Sequence, residues 1–136
     1  MEFKISTTEI AKRLHQFELE RGQKSVIYRH KSVAGRFEEL PEQVKADYIG
    51  TATAITKILA ADELLTLDEV GRRIHESYRE RNKATIIHSL NVDFEQLSQE
   101  NKQKVLAQFK VGLTAVQEMA EAATKTAEED KNKGKE

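Results

Sequence analysis

Two stretches of the sequence carry the same arginine and histidine residues, and these residue types suit the binding of anions. Residues 9–21 recur sixty positions later as residues 69–81. The shared residues most able to do chemistry are Arg13/Arg73, His15/His75 and Arg21/Arg81. Arginine presents a planar fork of N–H donors that matches a carboxylate or a phosphate, and histidine can transfer protons or ligate metals near neutral pH. These residues are the first candidates for a functional site.

The repeated histidines also have a structural interpretation, which the pattern favours. His15 and His75 each follow an apolar helix position, so each ring lies at the edge of an apolar stripe. From there the ring can hydrogen-bond to the backbone of the long connection that follows each helix. Histidines sixty residues apart, with His30 and His88 on the connections, lack the spacing of a local metal site. We predict no metal and no other cofactor.

A cationic stretch gives a second indication of anion binding. Between positions 21 and 36 there are five basic residues and no acidic residue: Arg21, Lys24, Arg29, Lys31 and Arg36. Such a stretch can receive a phosphate or a carboxylate. The alternative for the repeated arginines is a solvated helix face, since Glu9 stands four residues before Arg13 and Glu69 stands four before Arg73, the spacing of intrahelical ion pairs.

Composition argues against several classes of protein. The chain has 136 residues, no cysteine and a net charge of −1. The lack of cysteine excludes disulfides, thiolate metal sites and a cysteine nucleophile, and the near-neutral charge argues against nucleic-acid binding through a basic body. No apolar run approaches the roughly 20 residues that cross a membrane, and the N-terminus does not have the pattern of a signal peptide. We expect a cytoplasmic protein that binds neither membranes nor nucleic acids.

Signatures of catalysis are missing from the sequence. The six glycines are scattered and form no phosphate-binding loop, and no serine stands in a Gly-x-Ser-x-Gly motif. The carboxylates lie beside lysine and arginine on solvated helix faces. We predict that the protein is not an enzyme.

Apolar periodicity predicts four helices that would position the candidate residues. Ile10, Leu14 and Phe17 mark the first helix, between a hydroxyl cap at 6–8 and Gly22.

The other three helices have start signals of their own. Pro41 precedes a second helix that runs to about Ala61, and Thr66 caps a third. Ser98 caps a fourth, which fades near Ala127.

The long connections within each half contain short β-branched runs at 25–28 and 85–87, which favour extended structure. The two runs either pair into a small ribbon or plug the core. The predicted fold is mainly α, with two pseudo-symmetric helix pairs and short extended segments in the connections. We assign residues 1–62 to a first helical repeat and 63–127 to a second repeat packed on the first. Residues 128–136 are too polar to bury anything and are predicted to be a disordered tail.

The order of these motifs resembles a known family. The segments that carry the resemblance are Ile10 to His15 with His30 to Lys45, and Val70 to Glu76 with His88 to Lys102. They are similar to the RyR domain, the small repeat first named from ryanodine receptors and also found in bacterial and phage proteins. The two copies cover most of residues 7–120, without a tryptophan after the first helix and with Ser98 in place of the family's proline.

The resemblance implies a helical module, often duplicated, that recognises nucleotide-like ligands rather than catalysing a reaction. It implies a ligand-binding set formed by Arg13, His15, Arg21, Arg29 and Lys31 in the first copy and by Arg73, His75, Arg81 and His88 in the second. The expected function is therefore non-catalytic binding of a small anionic ligand. The alternative is a protein-interaction or self-association module, in which apolar surface on the fourth helix binds a protein partner or a second copy.

Overall fold

The chain folds into four α-helices. The computed structural model describes residues 5–21, 35–61, 63–84, 86 and 88–133. The helices are α1 (Thr7–Arg21), α2 (Glu42–Ala60), α3 (Leu67–Arg81) and α4 (Gln99–Lys133), and 3-10 turns lie at Phe37–Glu39, His88–Leu90 and Phe94–Gln96. Within these described residues there is no strand. The prediction of a mainly α protein with four helices is confirmed.

Hydroxyl caps begin three of the helices, as the sequence predicts. Each cap oxygen accepts a hydrogen bond from the backbone N–H three residues further on: Ser6 from Glu9, Thr66 from Glu69 and Ser98 from Asn101. These bonds satisfy donors that the first turn of a helix leaves without an intrahelical partner. The second helix begins after Pro41, where the missing proline N–H costs no helical hydrogen bond.

The stretches of sequence that recur in the two halves of the chain adopt the same local structures. Both α1 and α3 are 15 residues long. The Phe-Glu-x-Leu segments each form a 3-10 turn whose phenylalanine and leucine are buried: Phe37 and Leu40 in the first half, Phe94 and Leu97 in the second. An ion pair ties each turn to the preceding α-helix, from Lys12 to Glu38 at 3.1 Å and from Arg72 to Glu95. The turn therefore fixes the entry of the chain into the helix that follows.

The core is shared by all four helices. The first helix of each half, α1 or α3, contacts both α2 and α4, and α2 and α4 also contact each other. The side chains that are fully buried include Ile10 from α1, Ile55 from α2, Ile74 from α3 and Val105 from α4. They belong to a single apolar cluster. The division into a first repeat at 1–62 and a second at 63–127 stays a prediction. The buried side chains of α1 and α2 pack against those of α3 and α4.

The last helix is longer than the sequence indicates. We expected α4 to fade near Ala127 and residues 128–136 to be disordered, but the helix continues to Lys133. Alanine, glutamate and lysine have high helix propensity, and the first helix-breaking residue in this region is Gly134. Residues 134–136 lie outside the described residues.

The predicted extended runs mostly fall outside the described residues as well. This holds for all of 25–28, and for Thr85 and Ile87 of the second run. The remaining member, Ile86, is half-buried against the core and belongs to no strand in the described part of the chain. Its N–H donates to the carbonyl of Asn82 at 2.8 Å, which continues the end of α3 as a turn.

Candidate anion-binding site

The repeated arginine of α1 is held by carboxylates of the same chain. Nε of Arg13 lies 3.1 Å from Glu9, the intrahelical partner that the sequence indicates, and Nη2 lies 2.6 Å from Glu118 on α4. These hydrogen bonds raise the pKa of Arg13, with Glu9 as the larger cause. The side chain therefore joins α1 to α4 across the surface.

Its counterpart on α3 has a similar arrangement. Nε of Arg73 lies 3.1 Å from Glu69, and Nη2 lies 3.3 Å from Glu63 in the turn between α2 and α3. Both partners are at least partly exposed, so these pairs contribute little to stability. The second bond is long enough for the guanidinium to turn towards a stronger acceptor at small cost.

The last arginine of α3 is a clamp between two helices. Nη1 of Arg81 donates to the side chain of Asp47 at 2.7 Å and to its carbonyl at 2.8 Å, and Nη2 donates to Thr51 at 3.2 Å. Nε donates to the carbonyl and the hydroxyl of Ser77. The guanidinium passes directly over Gly50, where a Cβ atom would collide with it. With these donors engaged, Arg81 positions α3 on α2.

The second repeated histidine has the structural role that the sequence favours. Nε2 of His75 donates to the carbonyl of Val92 at 2.7 Å and so holds the connection before α4. The ring is fully buried. Burial lowers the pKa of His75, although the bond to Val92 opposes this shift. The neutral ring is therefore the form suited to this position.

The first repeated histidine lies among aromatic rings. The ring centre of His15 is 5.5 Å from that of Tyr48 and 6.1 Å from that of Phe37. The hydroxyl of Tyr48 donates to the buried carboxylate of Glu18 through a short hydrogen bond. Burial and the Glu18 charge raise the pKa of Tyr48, which keeps this hydroxyl protonated. His15 thus lies in the core of the first half and away from the surface grooves.

The remaining predicted site residues do not join one described site. His88 is exposed at the start of a 3-10 turn. Arg21 ends α1, but its side chain, together with Arg29 and Lys31, lies outside the described residues. Among the described members of the predicted set, Arg73 and Arg81 share a surface cavity, a groove between α2 and α3.

The α2–α3 groove contains a lysine that sequence reasoning missed. The groove has a volume of about 680 Å³, and its walls include Thr53, Ala54 and Lys57 from α2 and Ser77 from α3. In the part of the chain that the structure describes, no carboxylate lies within 4.0 Å of the exposed Lys57 ammonium. Its positive charge is therefore available to an incoming anion.

The hydroxyl of Ser77 complements this lysine. Its oxygen accepts a hydrogen bond from Arg81 at 3.3 Å, so its own hydrogen remains to donate to a ligand. By contrast, Thr53 donates its hydroxyl hydrogen to the carbonyl of Ile49 at 2.7 Å. The groove therefore offers one ammonium and one hydroxyl donor to an anion.

Two carboxylates of α3 also line the groove, but each pairs with a cation three residues further along the chain. Glu76 lies 3.4 Å from Arg79, and Glu80 lies 3.0 Å from Lys83. These pairs reduce the repulsion that an incoming anion would meet. Arg72 and Arg73 lie on the same wall, and each is likewise paired with carboxylates.

Metal sites and membrane-spanning helices are absent from the described residues. No group of three His, Asp or Glu side chains there could hold a metal ion, and no helix there is long and apolar enough to cross a membrane. Comparisons of the chain with models of protein families, with curated proteins and with solved structures find no match. The fold and the grooves define a mainly helical protein whose function has to be argued from its own residues.

Proposed function

We propose that the protein is a non-catalytic recognition module that binds a small anionic ligand in the α2–α3 groove. The observation that carries this proposal is that the groove is lined both by Lys57, whose ammonium has no carboxylate partner among the described residues, and by Ser77, whose hydroxyl hydrogen can donate to a ligand. Charge-assisted hydrogen bonds are the strongest that such a surface offers to a carboxylate or a phosphate. Membership of the RyR-like repeats stays a prediction, and the proposal does not depend on it.

The shape of the groove supports the same proposal. Its volume of about 680 Å³ lies within the range of roughly 300–1,000 Å³ that is typical of small-molecule sites. Ala54 and Ile58 give it an apolar floor, and Gly50 leaves the space that the Arg81 guanidinium fills at one end. A small ligand would place its anionic group at Lys57 and the rest of its atoms over this apolar floor.

A titration followed by NMR tests the proposal. Inorganic phosphate and citrate are added to the ¹⁵N-labelled full chain, and the amide shifts of residues 50–58 and 72–81 are followed. Lys57→Ala should weaken binding about ten-fold, the equivalent of one charge-assisted hydrogen bond. Lys125→Ala, which removes an exposed lysine of α4 outside the groove, is the matched control. Equal affinity for Lys57→Ala and the parent chain would refute the proposal.

A second candidate function is protein interaction or self-association through the end of α4. The specific observation is that α4 continues to Lys133, although Met119 is the last of its described side chains that packs on the apolar core. The segment after Met119 exposes Glu121, Ala122 and Lys125. Light scattering across a wide concentration range tests the self-association form, and a monomer at every concentration would contradict it.

A further inference from the structure

A second groove lies between α1 and α4 and has a volume of about 510 Å³. Its α1 wall consists of residues 13, 16, 17 and 20. Each of these positions has its counterpart, sixty residues later, in the α3 wall of the α2–α3 groove, at positions 73, 76, 77 and 80. Both walls have arginine at the first of these positions and glutamate at the last. The two grooves thus use the same face of corresponding helices.

The opposite walls correspond in the same way. The α4 wall consists of residues 107, 110, 111 and 114, and the α2 wall contains residues 50, 53, 54 and 57, each fifty-seven positions earlier. Thr53 and Lys57 of α2 match Lys110 and Thr114 of α4. The threonine and the lysine have exchanged places, one helical turn apart, so each groove has one of each.

Each groove therefore takes one wall from each half of the chain. A contact at the middle of the fold supports this relation. Ile55 and Gly112, which are also fifty-seven residues apart, touch each other, and a Cβ atom on Gly112 would lie 2.5 Å from Cγ2 of Ile55. Residues at corresponding positions meet in this way where a two-fold axis passes between them. The grooves are then the two sites that such an axis relates.

The α1–α4 groove also contains a cation that is available to a ligand. Arg13 is held by Glu9 and Glu118. Lys110 is exposed, and among the residues that the structure describes no carboxylate lies within 4.0 Å of its ammonium. Lys110 therefore has the role in this groove that Lys57 has in the other.

The two grooves differ in the character of the surface beside the lysine. Phe17 stands where the other groove has Ser77, and Val111 stands where it has Ala54. Ala107 replaces Gly50, so a methyl group lies at the position over which Arg81 passes in the other groove. The α1–α4 groove thus combines one ammonium with an aromatic ring and two further apolar side chains.

We propose that the α1–α4 groove is a second binding site, selective for an anion that carries an aromatic or other apolar group. Lys110 binds the anionic group, and the ring of Phe17 packs against the apolar part. The proposal rests on the proposed function only in that both grooves bind anions through a lysine. The chain then binds two ligands of related but different chemistry, and the α2–α3 groove takes the more polar one.

Phenyl phosphate and inorganic phosphate, titrated separately into the ¹⁵N-labelled full chain, test this second site. Phenyl phosphate should shift the amides of residues 13–20 and 107–114 and should bind there several-fold more tightly than inorganic phosphate. Lys110→Ala should weaken that binding about ten-fold, and Lys125→Ala, which removes an exposed α4 lysine outside both grooves, should leave it unchanged. Phe17→Leu, which keeps an apolar side chain, should reduce the preference for phenyl phosphate roughly three-fold or more.

The outcomes separate the second site from the first. Shifts confined to residues 50–58 and 72–81 for both probes would overturn the second site and leave the proposed function standing. Unchanged phenyl phosphate affinity in Lys110→Ala would also overturn it. A response in neither groove at millimolar probe would overturn both proposals. Since Lys110 is exposed, its substitution leaves the fold intact, and a thermal melt of each variant checks this.

Discussion

The guanidinium of Arg81 lies 2.7 Å from the carboxylate of Asp47 and joins the end of α3 to α2. The Asp47 side chain is only 10 % exposed, so this pair is better shielded from water than the other ion pairs of α3. Because it combines an ion pair with bonds to Thr51 and to a backbone carbonyl, it should contribute more to stability than a surface pair.

Replacing Arg81 tests this relationship. Arg81→Ala should lower the free energy of unfolding by about 2 kcal/mol, and Arg81→Lys by less, because lysine keeps the charge but lacks the fork. Arg79→Ala is the control, since Arg79 pairs only with the exposed carboxylates of Glu76 and Asp93 among the described residues and should cost less than about 1 kcal/mol. Urea denaturation measures all three. Equal losses for Arg81→Ala and Arg79→Ala would show that the clamp is no stronger than a surface pair.

A close approach in the second half gives another prediction. The ring of Phe94 lies against the backbone of Gly71, and a Cβ atom there would come within 2.9 Å of Cε1. Gly71→Ala should therefore lower the free energy of unfolding by roughly 1–3 kcal/mol, even though alanine favours helix.

The double variant with Phe94→Leu provides the internal check. The smaller side chain removes the ring atoms that would collide, so Gly71→Ala should cost less in that background. Chemical denaturation of the four members of the cycle gives the coupling free energy. A coupling free energy near zero would mean that the ring does not determine the effect.

The buried histidine of α3 makes stability depend on pH. The pKa of His75 is lower in the folded protein than in the unfolded chain, mainly because of burial. Below an unfolded pKa of about 6.5 the unfolded state therefore binds more protons, and the free energy of unfolding falls as the pH falls. Above that pH the full contribution of His75 to the free energy of unfolding is present.

Denaturation between pH 8 and pH 5.5 measures this dependence before most carboxylates titrate. His75→Gln keeps a donor for the carbonyl of Val92 but cannot titrate, so its stability should change less over this range. If the parent and His75→Gln have the same slope against pH, the dependence arises from other groups.

The hydrogen bond between Tyr48 and Glu18 gives a further prediction. Both side chains are buried, and bonds to charged groups contribute about 1.5–3 kcal/mol. Tyr48→Phe should therefore lower the free energy of unfolding by about 2 kcal/mol. The same substitution in a Glu18→Gln background should cost less, because the acceptor has lost its charge. Equal costs in both backgrounds, measured by thermal or chemical denaturation, would contradict this account.

Much of the fold could be predicted because it depends on residues that are close in sequence. Thr66 and Glu69 form a cap three residues apart, and Ile10 and Leu14 share a helix face. His75 was predicted to hold the following connection, since the ring lies at the edge of the apolar stripe, and it does so through Val92.

The grooves could not be predicted in this way, because their walls come from helices that only the tertiary fold brings together. Lys57 and Ser77 are twenty positions apart on different helices, and neither belongs to a recognised motif. A signal was nevertheless present in the differences between the halves. Thr53 and Lys57 on α2 correspond to Lys110 and Thr114 on α4. Each wall therefore has one threonine and one lysine, but the lysine lies one helical turn earlier on α4.

The burial of Glu18 was also beyond sequence reasoning. Glutamate is almost always exposed, so its place between Phe17 and Leu19 predicts a surface side chain. The partner that allows its burial, Tyr48, lies on α2, thirty residues away. Only the packing of α1 on α2 brings the two together.

The origin of the groove walls has a consequence for regulation. Because each groove joins a helix of one half to a helix of the other, a shift of the halves changes the width of both grooves together. A ligand that prefers one arrangement of the halves would thus change the affinity of the second groove, and the effect would be the same in both directions. Gly112, where α4 meets Ile55 of α2, lies at a contact between the two halves. The two sites would then act as a cooperative pair within a single chain.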